Sequence, residues 1–149
     1  MTYATILKIG NTAFPVLGIG LMVFYGVCDT SCSSLQGAFL GVDLKAVGVV
    51  YMAALLALNL PLASPWTAPI LHLRTSLLSG ALGGETVLLR FQAVNDTYCP
   101  FCLVFGFCIL ALFVVNFSKM NKYLSLGTFL MGITAFALFF KGAILPLYL

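Results

Sequence analysis

The sequence predicts an all-α integral-membrane protein: a four-helix transmembrane bundle with a fifth transmembrane helix behind it. Three observations lead there. The 149 residues are 62% hydrophobic and only 7% charged, with a mean hydropathy of +1.12. A soluble domain carries about 25% charged residues, so this chain lacks the charge to cover a water-facing surface. The apolar residues are also gathered into runs close to the ~20 residues that a helix needs to cross the hydrocarbon core.

Five such runs are visible, at about 9–27, 44–62, 70–93, 99–117 and 124–140, the last being the shortest. The chain 1–149 therefore reads as one membrane domain, with a core at about 9–117 and an extra C-terminal helix at about 124–140. The first run follows Lys8 and is longer than the core of a cleavable signal; no small-residue cleavage site follows it, so it reads as an uncleaved span. Between the first and second runs, residues 33–40 are apolar enough to dip back into the interface as a half-helix but too short to cross. Pro61, Pro65 and Pro69 mark the turn between the second and third runs.

The third run is the least uniform, because it holds Glu85 and Arg90. Arg90 lies towards one end, where its side chain can reach the interface. Glu85 faces the bundle interior in preference to lipid. Its small neighbours Gly80, Ala81, Gly83 and Gly84 suit close helix packing. Glu85 then reads first as one satisfied carboxyl on a packing face and second as a functional carboxylate lining a site.

Orientation follows from the distribution of basic residues. One set of connections contains Lys8, His72, Arg74, Lys119 and Lys122 and no acidic residue; the other contains Asp29, Asp43, Glu85 and Asp96 among fewer basic ones. The first set is expected on the cytoplasmic side, which puts the C-terminus outside. The net charge of +3 is small and dispersed, which gives no reason to expect a nucleic-acid partner.

The chemistry lies in the cysteines, which number five: Cys28, Cys32, Cys99, Cys102 and Cys108. Cys28 and Cys32 follow the first span, and Cys99 and Cys102 open the fourth, so both pairs fall on the outer, oxidising side of the same topology. In Cys99-Pro100-Phe101-Cys102, the polar approach Asn95-Asp96-Thr97-Tyr98 and the proline suit the start of a helix. Cysteines three apart share a helix face and can bridge. Cys99 at the helix N-terminus has its thiolate stabilised by free amide N–H groups and is expected to be exposed for exchange. Cys102, one turn deeper, is placed to meet a lipid-soluble oxidant. The Cys28–Cys32 segment is wetted by Asp29, Thr30, Ser31, Ser33 and Ser34, so an external protein can reach it. Two pairs in series make a relay in which each step is thiolate attack on a disulfide sulfur.

Other readings stand beside this one. Two close pairs could form a four-cysteine zinc site, or brace outer loops as structural disulfides. They could also pass soft cations, mercuric or cuprous, in a small transporter, although no methionine-rich or histidine pattern lines a span. No metal is expected. Cys108, alone in an apolar run, reads as packing. Phe101, Phe105 and Tyr51 could line a flat aromatic-binding pocket, and equally could be bundle core.

The residues resemble the vitamin K epoxide reductase family. The order carries the resemblance: a loop pair after the first span, then C-x-x-C opening the fourth. Cys32-Ser33-Ser34, Gly41 and Gly48-Val49-Val50-Tyr51 are similar to the family's loop-to-second-span segment, and Gln92 with Tyr98-Cys99-Pro100-Phe101-Cys102-Leu103 to its redox motif. The DsbB family does similar chemistry with the pairs in the reverse order. The resemblance covers about residues 9–117. It implies a four-helix bundle around a quinone, ubiquinone or menaquinone, with Cys99 and Cys102 as the active-site pair and Cys102 facing the quinone. It further implies Cys28 and Cys32 as the shuttle pair, with Cys32 exchanging with Cys99.

A quinone-dependent thiol–disulfide oxidoreductase of the inner membrane is thus expected, with its redox cysteines on the periplasmic side. It would take electrons from a periplasmic thioredoxin-fold, DsbA-like protein acting in trans and support disulfide formation. The chain departs from the family pattern in three ways. The loop pair is closer together, and the following half-helix is short, which leaves Ser34 as its serine. Gly106 stands where a tyrosine often follows the motif by one turn. No thioredoxin domain follows the fifth span, so the partner is expected to be a separate protein.

Overall fold

The structure is a computed structural model and describes residues 3–28, 35–59 and 68–144. The helices are α1 (Tyr3–Cys28), α2 (Leu44–Ala57), α3 (Ala68–Val94), α4 (Pro100–Asn116) and α5 (Lys122–Phe139). The strands are β1 (Leu35–Phe39), β2 (Val42–Asp43) and β3 (Phe140–Ile144). Three helical segments are long and apolar enough to cross a membrane: Thr5–Cys28, Pro100–Lys119 and Lys122–Phe139. The last turn of the second is a 3-10 turn, Phe117–Lys119. Helix α2 is apolar but has only 14 residues, and α3 has 27 but carries Arg74, Glu85 and Arg90.

Local sequence sets the helix ends. Asp43 caps α2 by accepting from the Lys45 N–H at 2.9 Å, and Asn121 caps α5 by accepting from the N–H groups of Tyr123 and Leu124. Helix α2 ends at Ala57, short of the run that extends to 62 in the sequence. Large apolar side chains such as Phe24, Phe107, Met131 and Leu138 point outward. A contiguous apolar exterior of this kind suits lipid.

Helix α1 packs on α2 and α4, and α3 packs on α5 and α4. The α1–α2 contact is close because Gly18 leaves room for Met52, which is fully buried. At one end of the bundle, Asn11 of α1 and Asn116 of α4 exchange side-chain hydrogen bonds at 3.1 and 2.6 Å. Arg74 and Asn59 extend this polar cluster by a further hydrogen bond between their side chains. Such bonds between helices satisfy polar groups where water is excluded. At the opposite end, Phe24 and Tyr25 of α1 pack on Phe101 of α4, with Tyr25 stacked at 5.0 Å. The end of α1 carrying Cys28 and the start of α4 carrying Cys99 and Cys102 therefore meet at one end of the bundle.

The expected half-helix within residues 33–40 is not what forms. Residues 35–39 make strand β1, the centre of a three-stranded antiparallel sheet in the order β2-β1-β3. Leu40 and Gly41, with φ of 54° and 82°, make the two-residue turn between β1 and β2, as the primed hairpin turns require. The physical reason is long-range. The edge of β1 is taken up by β3, which continues directly from α5. Phe39 stacks on Phe136 at 4.5 Å, and Phe140 meets Phe91 edge-on at 5.3 Å. The aromatic contacts seat the sheet over α3 and α5 at the cysteine end. Residues 33 and 34 lie outside the described residues.

Candidate functional site

Helix α3 closes with Asp96 in the left-handed conformation, φ 48°. The chain turns back there, and the Thr97 N–H donates to the Gln92 carbonyl at 3.1 Å. Two residues further on, the Cys99 N–H donates to the Gln92 side-chain oxygen at 2.9 Å. Gln92 is itself buried. One residue thus holds both ends of the connection and sets the start of α4 against α3.

Cys99 is the N-cap of α4, with Pro100 in the first turn. Its sulfur accepts from the Cys102 N–H at 3.4 Å, and the Cys102 side chain hydrogen-bonds that of Cys99. Cys99, Cys102 and Cys108 are thiols and not halves of a disulfide, whereas Cys28 is disulfide-bonded. Cys32 and Ser34 lie outside the described residues.

The sequence leads one to expect an exposed Cys99. The structure corrects this: Cys99 is 0% exposed and Cys102 7%. The Gln92 side chain holds its N–H at the helix start. Replacing Gln92 with alanine is expected to loosen this cover. Alkylation of Cys99 by a small water-soluble reagent should then rise about tenfold or more in peptide-mapped mass spectrometry, since thiol reactivity tracks access as well as thiolate character. An unchanged rate would show that Gln92 is not what shields the sulfur.

Below the pair lies a cavity of about 240 Å³. Cys102 and Phe105 of α4, Tyr51 and Gly48 of α2, Leu77 and Glu85 of α3, Met22 of α1 and Phe136 of α5 all contribute to its wall. Of the residues singled out in the sequence, Cys102, Phe105 and Tyr51 come together here. The Tyr51 hydroxyl donates to the Leu77 carbonyl at 3.2 Å, which ties α2 to α3 across the cavity. Phe101 is not part of this wall; its ring is stacked on Tyr25. Cys108 is fully buried in the core.

Phe136 is the contributor that the sequence does not disclose. Helix α5 is apolar on every side, so periodicity marks no inward face. Glu85, which the sequence offers second as a carboxylate lining a site, is in this wall as well. It is 8% exposed, and no hydrogen bond or ion pair engages its carboxyl among the described residues. It is not the satisfied carboxyl of a packing face. Among the described residues no group of three or more His, Cys, Asp or Glu stands together in a way that could hold a metal ion.

The arrangement is a pair of neighbouring thiols, one of which opens onto an apolar chamber with one carboxyl among its described residues. Chemically it can form and break an S–S bond and present the inner sulfur to an apolar reactant. No protein-family model matches the chain, and neither a curated protein nor a solved structure matches it.

Proposed function

We propose that this protein is a quinone-linked thiol–disulfide oxidoreductase of the bacterial inner membrane, with its cysteine end towards the periplasm. The observation that carries the reading is the position of Cys102: it is hydrogen-bonded to Cys99 on one side and is part of the wall of an apolar cavity on the other. The resemblance of the cysteine order to vitamin K epoxide reductases adds to it. The packing of Phe24 and Tyr25 on Phe101 supports it further, because it brings the Cys28 end of α1 to the active pair.

The relay balances as follows. A reduced thioredoxin-fold protein gives two electrons and two protons to the Cys28–Cys32 disulfide and leaves oxidised. The Cys32 thiolate attacks Cys99 in the Cys99–Cys102 disulfide and releases Cys102 as thiolate. Cys28 then attacks Cys32, restoring the outer disulfide and releasing Cys99. Cys99 and Cys102 rejoin as a disulfide while a quinone takes their two electrons and two protons and leaves as quinol.

A volume of about 240 Å³ sits just under the ~300–1,000 Å³ of usual ligand clefts. It suits a single substituted ring better than a whole isoprenoid lipid. Apolar walls with few polar groups are what such a ring requires. The test is direct. Purified protein, reduced and freed of reductant, should convert about two short-chain quinones per chain to quinol, one for each cysteine pair of the relay, followed by absorbance. A Cys99–Cys102 disulfide should appear in step by mass spectrometry. Disulfide formation without quinol, or no reaction at all, would overturn the reading.

A further inference from the structure

Glu85 stands out among the buried groups because the relay above leaves it without a task. It lies in the middle of α3, is 8% exposed, and its carboxyl makes no hydrogen bond or ion pair among the described residues. Two polar groups of the same wall are otherwise occupied: the Tyr51 hydroxyl donates to Leu77, and Cys102 is hydrogen-bonded to Cys99. A second observation shows how the carboxyl is accommodated. A Cβ built on Gly106 would stand 3.0 Å from Glu85 Oε2. The carboxyl of α3 therefore lies over α4 one turn beyond Cys102, in space that Gly106 leaves open by having no side chain.

An unpaired carboxylate charge is costly in an apolar wall. A protonated carboxyl offers one O–H donor together with acceptor capacity. The complement to that pair is a ligand oxygen that begins as a carbonyl and ends as a hydroxyl. Carboxyl and sulfur line the same chamber, so an oxygen held by Glu85 belongs to the molecule that Cys102 reduces.

We propose that Glu85 is the catalytic acid of this site, hydrogen-bonded to one carbonyl oxygen of the acceptor and giving it a proton as the electrons arrive from the thiol pair. The inference rests on the quinone-reducing reading. The balance is complete: Cys99–SH and Cys102–SH lose two electrons and two protons and form one S–S bond. The acceptor gains both electrons and both protons. One proton travels through Glu85, which hands its own to the oxygen and takes a replacement from the thiol pair, ending as it began.

The test uses the purified full chain, reduced and mixed with a short-chain quinone in single turnover. Glu85→Gln keeps the size and a hydrogen-bond donor but has no proton to transfer. It should bind the quinone within about threefold of wild type, while quinol formation slows about 10²-fold or more, the range of a positioned acid–base group. Oxidation of the same thiols by a small water-soluble disulfide, which bypasses the cavity, should be unchanged. Glu85→Asp should recover part of the lost rate. Gly106→Ala supplies an independent arm, since the added methyl forces the carboxyl to shift with its chemistry intact; quinol formation should fall several-fold. It also decides the matter if Glu85→Gln does not fold. A rate equal to wild type in the folded Glu85→Gln protein, or in Gly106→Ala, overturns this proposal while leaving the oxidoreductase standing. Failure of wild type to reduce quinone overturns the reading beneath it.

Discussion

Changing Cys102 to alanine is expected to stop quinol formation altogether. The two electrons leave the protein only if two sulfurs can join, and Cys99 alone cannot close a bond with a neighbour that has lost its thiol. Removing a group that forms the covalent link costs far more than removing one that assists, on the order of 10³-fold or beyond. The side chain is nearly covered, at 7% exposure, but a thiol-to-methyl change there removes one heavy atom from the wall. The fold should survive with a loss of about 1 kcal/mol. Stopped-flow loss of quinone absorbance measures the rate, and thermal unfolding in detergent checks the fold. Equal rates in the folded variant and the wild type would end the mechanism.

The same logic isolates the exchange step. In Cys28→Ala/Cys102→Ala, the relay leaves Cys32 and Cys99 as its only sulfurs, with Cys108 buried apart in the core. Mild oxidation should trap them as one Cys32–Cys99 disulfide, seen by peptide mapping under non-reducing conditions. Failure to trap it under conditions that oxidise the wild-type pairs would mean that the two stretches never meet.

The helices are legible in the sequence because long apolar runs mark them, and those of α1, α4 and α5 are long and apolar enough to cross a membrane. The runs at 9–27, 70–93, 99–117 and 124–140 fall within a few residues of α1, α3, α4 and α5. The second overshoots, since the apolar residues continue past the end of α2 at Ala57. The N-cap role of Cys99 is equally readable from Asn95-Asp96-Thr97-Tyr98 and Pro100, because caps are set by local chemistry.

What the sequence hides is what depends on distant partners. Strand β1 looks like a short amphipathic segment until β3, a hundred residues on, lies against it. The bond that ties the Cys99 backbone to Gln92 on the preceding helix is likewise a contact that the sequence does not print. The reading of Glu85 turned on its glycine neighbours, and a helix has more than one face. Gly83 and Gly84 press on α5, while the next residue, turned by about 100° on the helix, faces the cavity instead.

That press of α3 on α5 carries the second large effect. A Cβ at Gly132 would overlap the Gly80 carbonyl oxygen, and one at Gly83 would overlap the carbonyl oxygen of Phe129. Both obstacles are backbone, so no side-chain rotation relieves them. A Cβ at Gly84 would come within 2.7 Å of the Phe136 ring, which is part of the cavity wall. The small residues therefore let two backbones touch, and that contact holds Phe136 at the site. Gly132→Ala should force the helices apart and cost about 3 kcal/mol or more, a fall of about 10 °C in Tm for a chain of this size. Quinone affinity should weaken in parallel, because one wall of the cavity moves. Gly127→Ala is the matched control on the same helix: nothing lies within 4 Å of its Cβ position. Alanine there removes a flexible residue from a helix interior and should raise stability by about 0.5–1 kcal/mol. Opposite signs from the same substitution, five residues apart, would tie the result to the backbone contact. A loss of stability in both would point instead to a general intolerance of side chains on α5, and the close approach to α3 would then not be what holds the helix in place.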